Sequence, residues 1–140
     1  MKAKSFTRFA VLPVLLAAPL AGHAFDGMVI ANQNVPVASL DAAALKDIYT
    51  GKTMYWDGGQ AVVIVVVPEK ADAALEQASG MNPSAFKTHW QRLGFSGRGQ
   101  PPKRADDVDA LIAAVAASKG AIAVLPAGSD PKGVKKIEIK

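Results

Sequence analysis

Residues 61–67 are seven consecutive apolar positions that run into Pro68. A strand built from such a run has no polar face and must be covered on both sides, as strands are in helix-covered, largely parallel sheets. Upstream, Leu45, Ile48 and Tyr49 recur at helical spacing, which predicts a helix over 40–50 with Ser39 as N-cap and Gly51 closing it. A short apolar segment at 28–31 reads as the first strand. After Pro68, an Ala-rich helix over 70–79 stops at Gly80. Asn82-Pro83 opens the next helix, because Asn caps and Pro is tolerated in a first turn. Phe86, Trp90 and Leu93 form its apolar stripe and Gly94 ends it. Residues 94–103 are a Gly- and Pro-rich loop, and Asp106 caps a helix striped by Val108, Leu111, Ile112, Val115 and Ala116. Gly120 closes that helix, 121–125 is a buried strand, and 134–139 is a final strand whose lysines suit a sheet edge. Strands separated by helices predict an α/β domain.

The first 24 residues stand apart from this pattern. Lys2, Lys4 and Arg8 precede an apolar core over 9–21, and Gly22-His23-Ala24 supplies small residues for cleavage before Phe25. Residues 1–24 therefore read as a secretory signal peptide and 25–140 as one exported domain. The apolar core is shorter than the ~20 residues of a spanning helix, so no membrane insertion is expected after cleavage. The chain has no Cys, which excludes disulfides, thiol chemistry and a lipid-anchoring cysteine. Sixteen basic residues face twelve acidic ones overall, but three of the cations belong to the leader, leaving an excess of one positive charge. That balance gives no ground for nucleic-acid binding.

Catalytic signals are weak. His89 is the one histidine of 25–140 and lies on a helix without a second histidine at metal-ligand spacing, which suits a boundary residue rather than a general base. Asp106, Asp107 and Asp109 gather at a helix start, where negative charge favours the dipole. No phosphate-cradling Gly-rich loop with its Lys-Ser/Thr is present. No cofactor is expected. Binding is better supported. In Ser96-Gly97-Arg98-Gly99, glycines allow backbone N–H groups to converge on an anion, and Arg98, Lys103 and Arg104 add charge-assisted donors. The same loop also reads as a solvated turn. Ser39, at a helix N-terminus, reads as a cap and as a further place for an anion.

Several of these segments together resemble the substrate-binding proteins of phosphate ABC transporters, within the type 2 periplasmic binding proteins. The matching residues run from Leu45 through Gly51-Lys52, then Trp56-Asp57-Gly58-Gly59, the strand ending at Pro68, Phe86 to Trp90, Phe95 to Gly99 with Pro101-Pro102, and Gly120-Ala121-Ile122. The resemblance implies a single three-layer α/β lobe, a mixed, mostly parallel sheet with helices on both faces. It also implies a periplasmic, non-catalytic protein binding a small oxyanion, phosphate-like, for an import system. Where the family places an Arg and a Ser/Gly/Thr cluster after the buried strand, this chain has Pro68-Glu69-Lys70-Ala71-Asp72-Ala73-Ala74, with Lys70 the one cation available. The ligand-binding set expected is thus Ser39, Lys70, Ser96, Gly97, Arg98 and Gly99. Because the resemblance covers one lobe, a transporter permease, another envelope protein or a second copy in a homodimer is expected to supply the opposing wall. The other reading is a ligand-less lobe that serves as an interaction or scaffold domain for an envelope or membrane partner.

Overall fold

Two apolar cores lie on opposite faces of one sheet, and alternation along the strands decides which residue enters which. The computed structural model describes residues 25–140; residues 1–24, read from the sequence as a signal peptide, lie outside the described residues. Six strands, β1 (Met28–Ala31), β2 (Ser39–Leu40), β3 (Val63–Val66), β4 (Lys103–Arg104), β5 (Ala121–Leu125) and β6 (Lys135–Ile139), form a sheet of order β2-β6-β1-β5-β3-β4. The pairs β2–β6, β5–β3 and β3–β4 are parallel, whereas β1 runs antiparallel to β5 and β6. Val29, Ala31, Ile64, Ile122, Val124 and Ile137 face one core. Ile30, Val65, Ala121, Ala123 and Leu125 face the other.

Helices α1 (Ala42–Tyr49), α2 (Asp72–Ser79) and α3 (Pro83–Phe95) cover the first face, and α4 (Val108–Ala117) covers the second. The result is the α/β domain that the alternation of elements predicts, in the three-layer form that the family resemblance implies. In β3, Ile64 and Val65 are buried against opposite layers. An unbroken apolar run is what that double coverage requires. Every residue of β5 is buried.

Element ends depart from the sequence reading where tertiary bonds compete. Ser39 is not a helix cap: Ser39–Leu40 pairs with Glu138 and Ile139 as β2, and Asp41 caps α1 by accepting the Ala44 N–H at 2.6 Å. Backbone bonds from Glu138 to Ala38 and from Lys140 to Leu40 hold that segment extended. For the same reason β6 is not the sheet edge, since β2 lies outside it. Asp107 rather than Asp106 caps α4, accepting from Ala110 at 2.7 Å. Helix α2 begins at Asp72 rather than at Lys70, and α3 continues through Gly94 to Phe95. Lys103, read as the end of a loop, and Arg104 after it add β4 to the sheet. In α4 the stripe is narrower than its spacing suggests: Leu111 and Val115 are buried, Val108 and Ile112 half-buried, and Ala116 exposed.

Side chains that cross between elements fix the layers. Asn32, buried after β1, donates through Nδ2 to the carbonyls of Val115 (2.9 Å) and Ala116 (3.0 Å) and so satisfies the last turn of α4. Its Oδ1 accepts the Asn34 N–H, so the buried amide is paired at both ends. The Trp56-Asp57-Gly58-Gly59 segment is a reversal with φ near +101° and +92° at its two glycines. The Trp56 N–H donates to the Gln60 carbonyl, the Gly59 N–H donates to the Trp56 carbonyl, and Tyr55 bridges Ala61. The Trp56 indole donates to the Gly120 carbonyl at 2.9 Å, which also accepts the Val63 N–H at 3.0 Å.

Gly120 has φ +77°, and a Cβ there would run into the Ala61 carbonyl. Gly133 has a similar φ of +76° with open space around it. Gly120→Ala is therefore expected to cost more than about 2 kcal/mol, combining left-handed strain with a backbone clash. Gly133→Ala, with strain alone, costs about 1 kcal/mol. Urea unfolding of the two variants checks this, and equal midpoints would contradict the assigned role of Gly120.

Candidate functional site

The apolar run of β3 stops at Pro68, and the chain turns sharply at its carboxyl end. Glu69 takes φ +68°, the left-handed region that costs a non-glycine residue about 1–2 kcal/mol. Its N–H donates to Asp72 Oδ1 at 3.0 Å. Asp72 is the first residue of α2, so its carboxylate lies at the positive end of that helix. The stretch that holds no Arg or hydroxyl cluster thus carries a built-in anion.

A cleft of about 530 Å³ opens beside this turn. Its floor is the carboxyl end of β3 (Val66, Val67, Pro68) with Val124 of β5, and Ala71, Asp72 and Leu75 of α2 form one wall. The opposite wall is α3, with the buried Phe86 and Trp90 flanked by Ser84, Lys87 and Gln91. Pro101, Pro102 and Arg104 complete the rim. Arg104 arrives there because β4 pairs in parallel with β3, setting Arg104 opposite Val66. In open α/β sheets the carboxyl ends of parallel strands are where ligands bind.

Trp90 also lines a second hollow of about 310 Å³ near the other end of β3, together with Met54, Tyr55, Ala61, Val62, Gly97, Arg98 and Gly99. Its indole donates to the Tyr49 carbonyl at 3.0 Å. The neighbouring His89 Nε2 contacts the Thr50 carbonyl at 2.7 Å. A carbonyl only accepts, so Nε2 carries the proton in this contact. The two bonds satisfy carbonyls at the C-terminal end of α1 and give His89 a positioning role at the α1–α3 boundary. Tyr49 is fully buried, its hydroxyl has no partner, and burial pushes its phenol well above the usual range.

The six residues expected to bind do not converge. Ser39 lies in β2, at the opposite edge of the sheet from β4. Lys70 is exposed in the turn after β3 and is not among the residues lining the cleft. Ser96, Gly97, Arg98 and Gly99 follow α3 as its C-cap: the N–H groups of Ser96, Gly97 and Arg98 return to the carbonyls of Arg92, Gly94 and Leu93. Those amides are occupied, and they lie at the negative end of a helix. Ser84, Lys87 and Gln91 were not singled out from the sequence. Their spacing of i, i+3 and i+7 beside the buried Phe86 and Trp90 is the signal that marks one polar flank of α3.

Two solved structures resemble this fold. An ABC-type phosphate transport receptor from Vibrio cholerae matches 83% of this chain and 47% of its own, with 22% identity and a TM-score of 0.55. A protein assigned as a phosphate ABC transporter substrate-binding protein from Clostridium perfringens, solved with bound phosphate, matches 83% of this chain and 46% of its own, with 24% identity and a TM-score of 0.54. No protein-family model and no curated protein matches the chain. The fold is therefore that of a portion of these phosphate-binding receptors, and the chain spans less than half of either one's length.

Relieving the turn at Glu69 tests how it is held. Glu69→Gly removes about 1–2 kcal/mol of left-handed strain and adds about 0.5–1 kcal/mol of chain entropy cost. The expected net is a gain of about 0.5–1 kcal/mol, seen as a higher urea midpoint. A lower midpoint would show that the Glu69 side chain contributes more than the strain removes.

Proposed function

We propose that this chain is an exported, non-catalytic substrate-binding module that takes a small anion into the cleft at the carboxyl ends of β3 and β4. The observation that carries this reading is the placement of Arg104 and Lys87 on that cleft, at the strand ends where an α/β lobe binds ligand. The likeness to two phosphate receptors, one solved with phosphate, supports an anion as the ligand class. The leader-like residues 1–24 support export to the periplasm, and among the described residues no helix is long and apolar enough to cross a membrane. A lobe supplies one wall of a binding site. In this proposal a permease, another envelope protein or a second copy of the chain supplies the facing wall and receives the ligand.

One observation favours a second reading, a docking domain for an envelope partner. Phe95, 93% exposed at the end of α3, and Tyr55, 64% exposed, are large apolar side chains left in solvent.

Calorimetric titration of residues 25–140 with phosphate, sulfate and acetate separates the readings. Saturable heat with at least one anion, weakened fivefold or more by Arg104→Ala, is the expected result. No response to any small anion would remove the binding reading and leave the docking one.

A further inference from the structure

The composition of the cleft is poorly matched to an inorganic oxyanion. A tetrahedral oxyanion has the bulk of a few water molecules, each filling about 30 Å³ of liquid. In a cleft of about 530 Å³ that is open to solvent, such an ion would touch few of the apolar residues that line it. Apolar residues dominate the lining: Val66, Pro68, Pro101 and Pro102 keep open surface toward solvent, and Val67, Leu75, Phe86 and Trp90 are buried behind them. The exposed apolar surface of Pro68, Pro101 and Pro102, backed by the buried Phe86 and Trp90, favours a ring or a branched chain over a hydrated ion.

Charge narrows the choice further. Lys87 and Arg104 bring two positive charges to the cleft and Asp72 one negative charge, so the lining carries a net single positive charge. Asp72 is held there by the Glu69 N–H, at 3.0 Å, and does not swing freely away. A fixed carboxylate repels a doubly charged ligand about twice as strongly as a singly charged one. Arg104 offers the planar fork that pairs with a carboxylate through two parallel bonds.

Resting on the small-anion reading above, we propose that the ligand is an organic monocarboxylate with an aryl or branched apolar body. Its carboxylate meets Arg104 and Lys87, and its body lies between α2 and the Phe86–Trp90 face of α3. Asp72 acts as the element that rejects dianions.

Titration of residues 25–140 with acetate, phosphate, benzoate and phthalate tests this. Benzoate is expected to bind at least tenfold more tightly than acetate or phosphate, and more tightly than the dianionic phthalate. Asp72→Asn keeps an acceptor for the Glu69 N–H while removing the charge. It is expected to shift the phthalate-to-benzoate affinity ratio at least fivefold toward phthalate, with the unfolding midpoint lowered only by what one helix-end charge contributes. Binding of phosphate or acetate as tight as benzoate would overturn the proposal and leave the small-anion reading standing. An unchanged ratio in Asp72→Asn would overturn the role given to Asp72. Silence toward all four anions would remove both.

Discussion

The Gly120 carbonyl is the junction on which the sheet and the cleft depend. It accepts the Trp56 indole at 2.9 Å and the Val63 N–H at 3.0 Å, and its residue occupies a space that no side chain could share with Ala61. The first bond anchors the reversal that delivers the chain to β3. The second sets β3 in register beside β5, with Val63 opposite Ala121 and Ile64 opposite Ile122. Once that parallel pair is fixed, the carboxyl end of β3 leads into the turn at Pro68, beside residues of α2 and α3.

What the end of β3 offers is decided by three residues that each satisfy a local demand. Glu69 accepts left-handed backbone, Asp72 accepts its amide, and α2 begins without a separate side-chain cap. The carboxylate that closes the turn thereby stands at the positive pole of α2, where an external anion would otherwise be stabilised. Positive charge is instead supplied from across the cleft by Lys87 and Arg104. The lobe shares its fold with portions of two phosphate transport proteins.

The fold was legible in the sequence because burial writes itself into residue type. Seven apolar residues before Pro68 required two covering layers, and β3 sends Ile64 and Val65 into separate cores. Asn82, Gly80 and Gly51 marked helix limits that the structure keeps. Starts preceded by adjacent capping residues were less legible: Asp41 outcompeted Ser39 because β6 drew Ser39 into the sheet, and Asp107 outcompeted Asp106. The cleft was legible least. Arg104 reaches it through strand pairing with Val66, which no local pattern announces in a two-residue strand. The glycine loop after Phe95 looked open to an anion because composition does not reveal that its amides return to α3.

The most direct test is a ¹H–¹⁵N NMR titration of residues 25–140 with benzoate, following backbone amides on both sides of Trp90. Saturable shifts concentrated at Asp72, Lys87 and Arg104, with Gly97 and Gly99 and the Trp56 indole unmoved, are the predicted result. Shifts confined to Gly97, Arg98 and Gly99, or no saturable shifts, would contradict a ligand seat at the carboxyl end of β3.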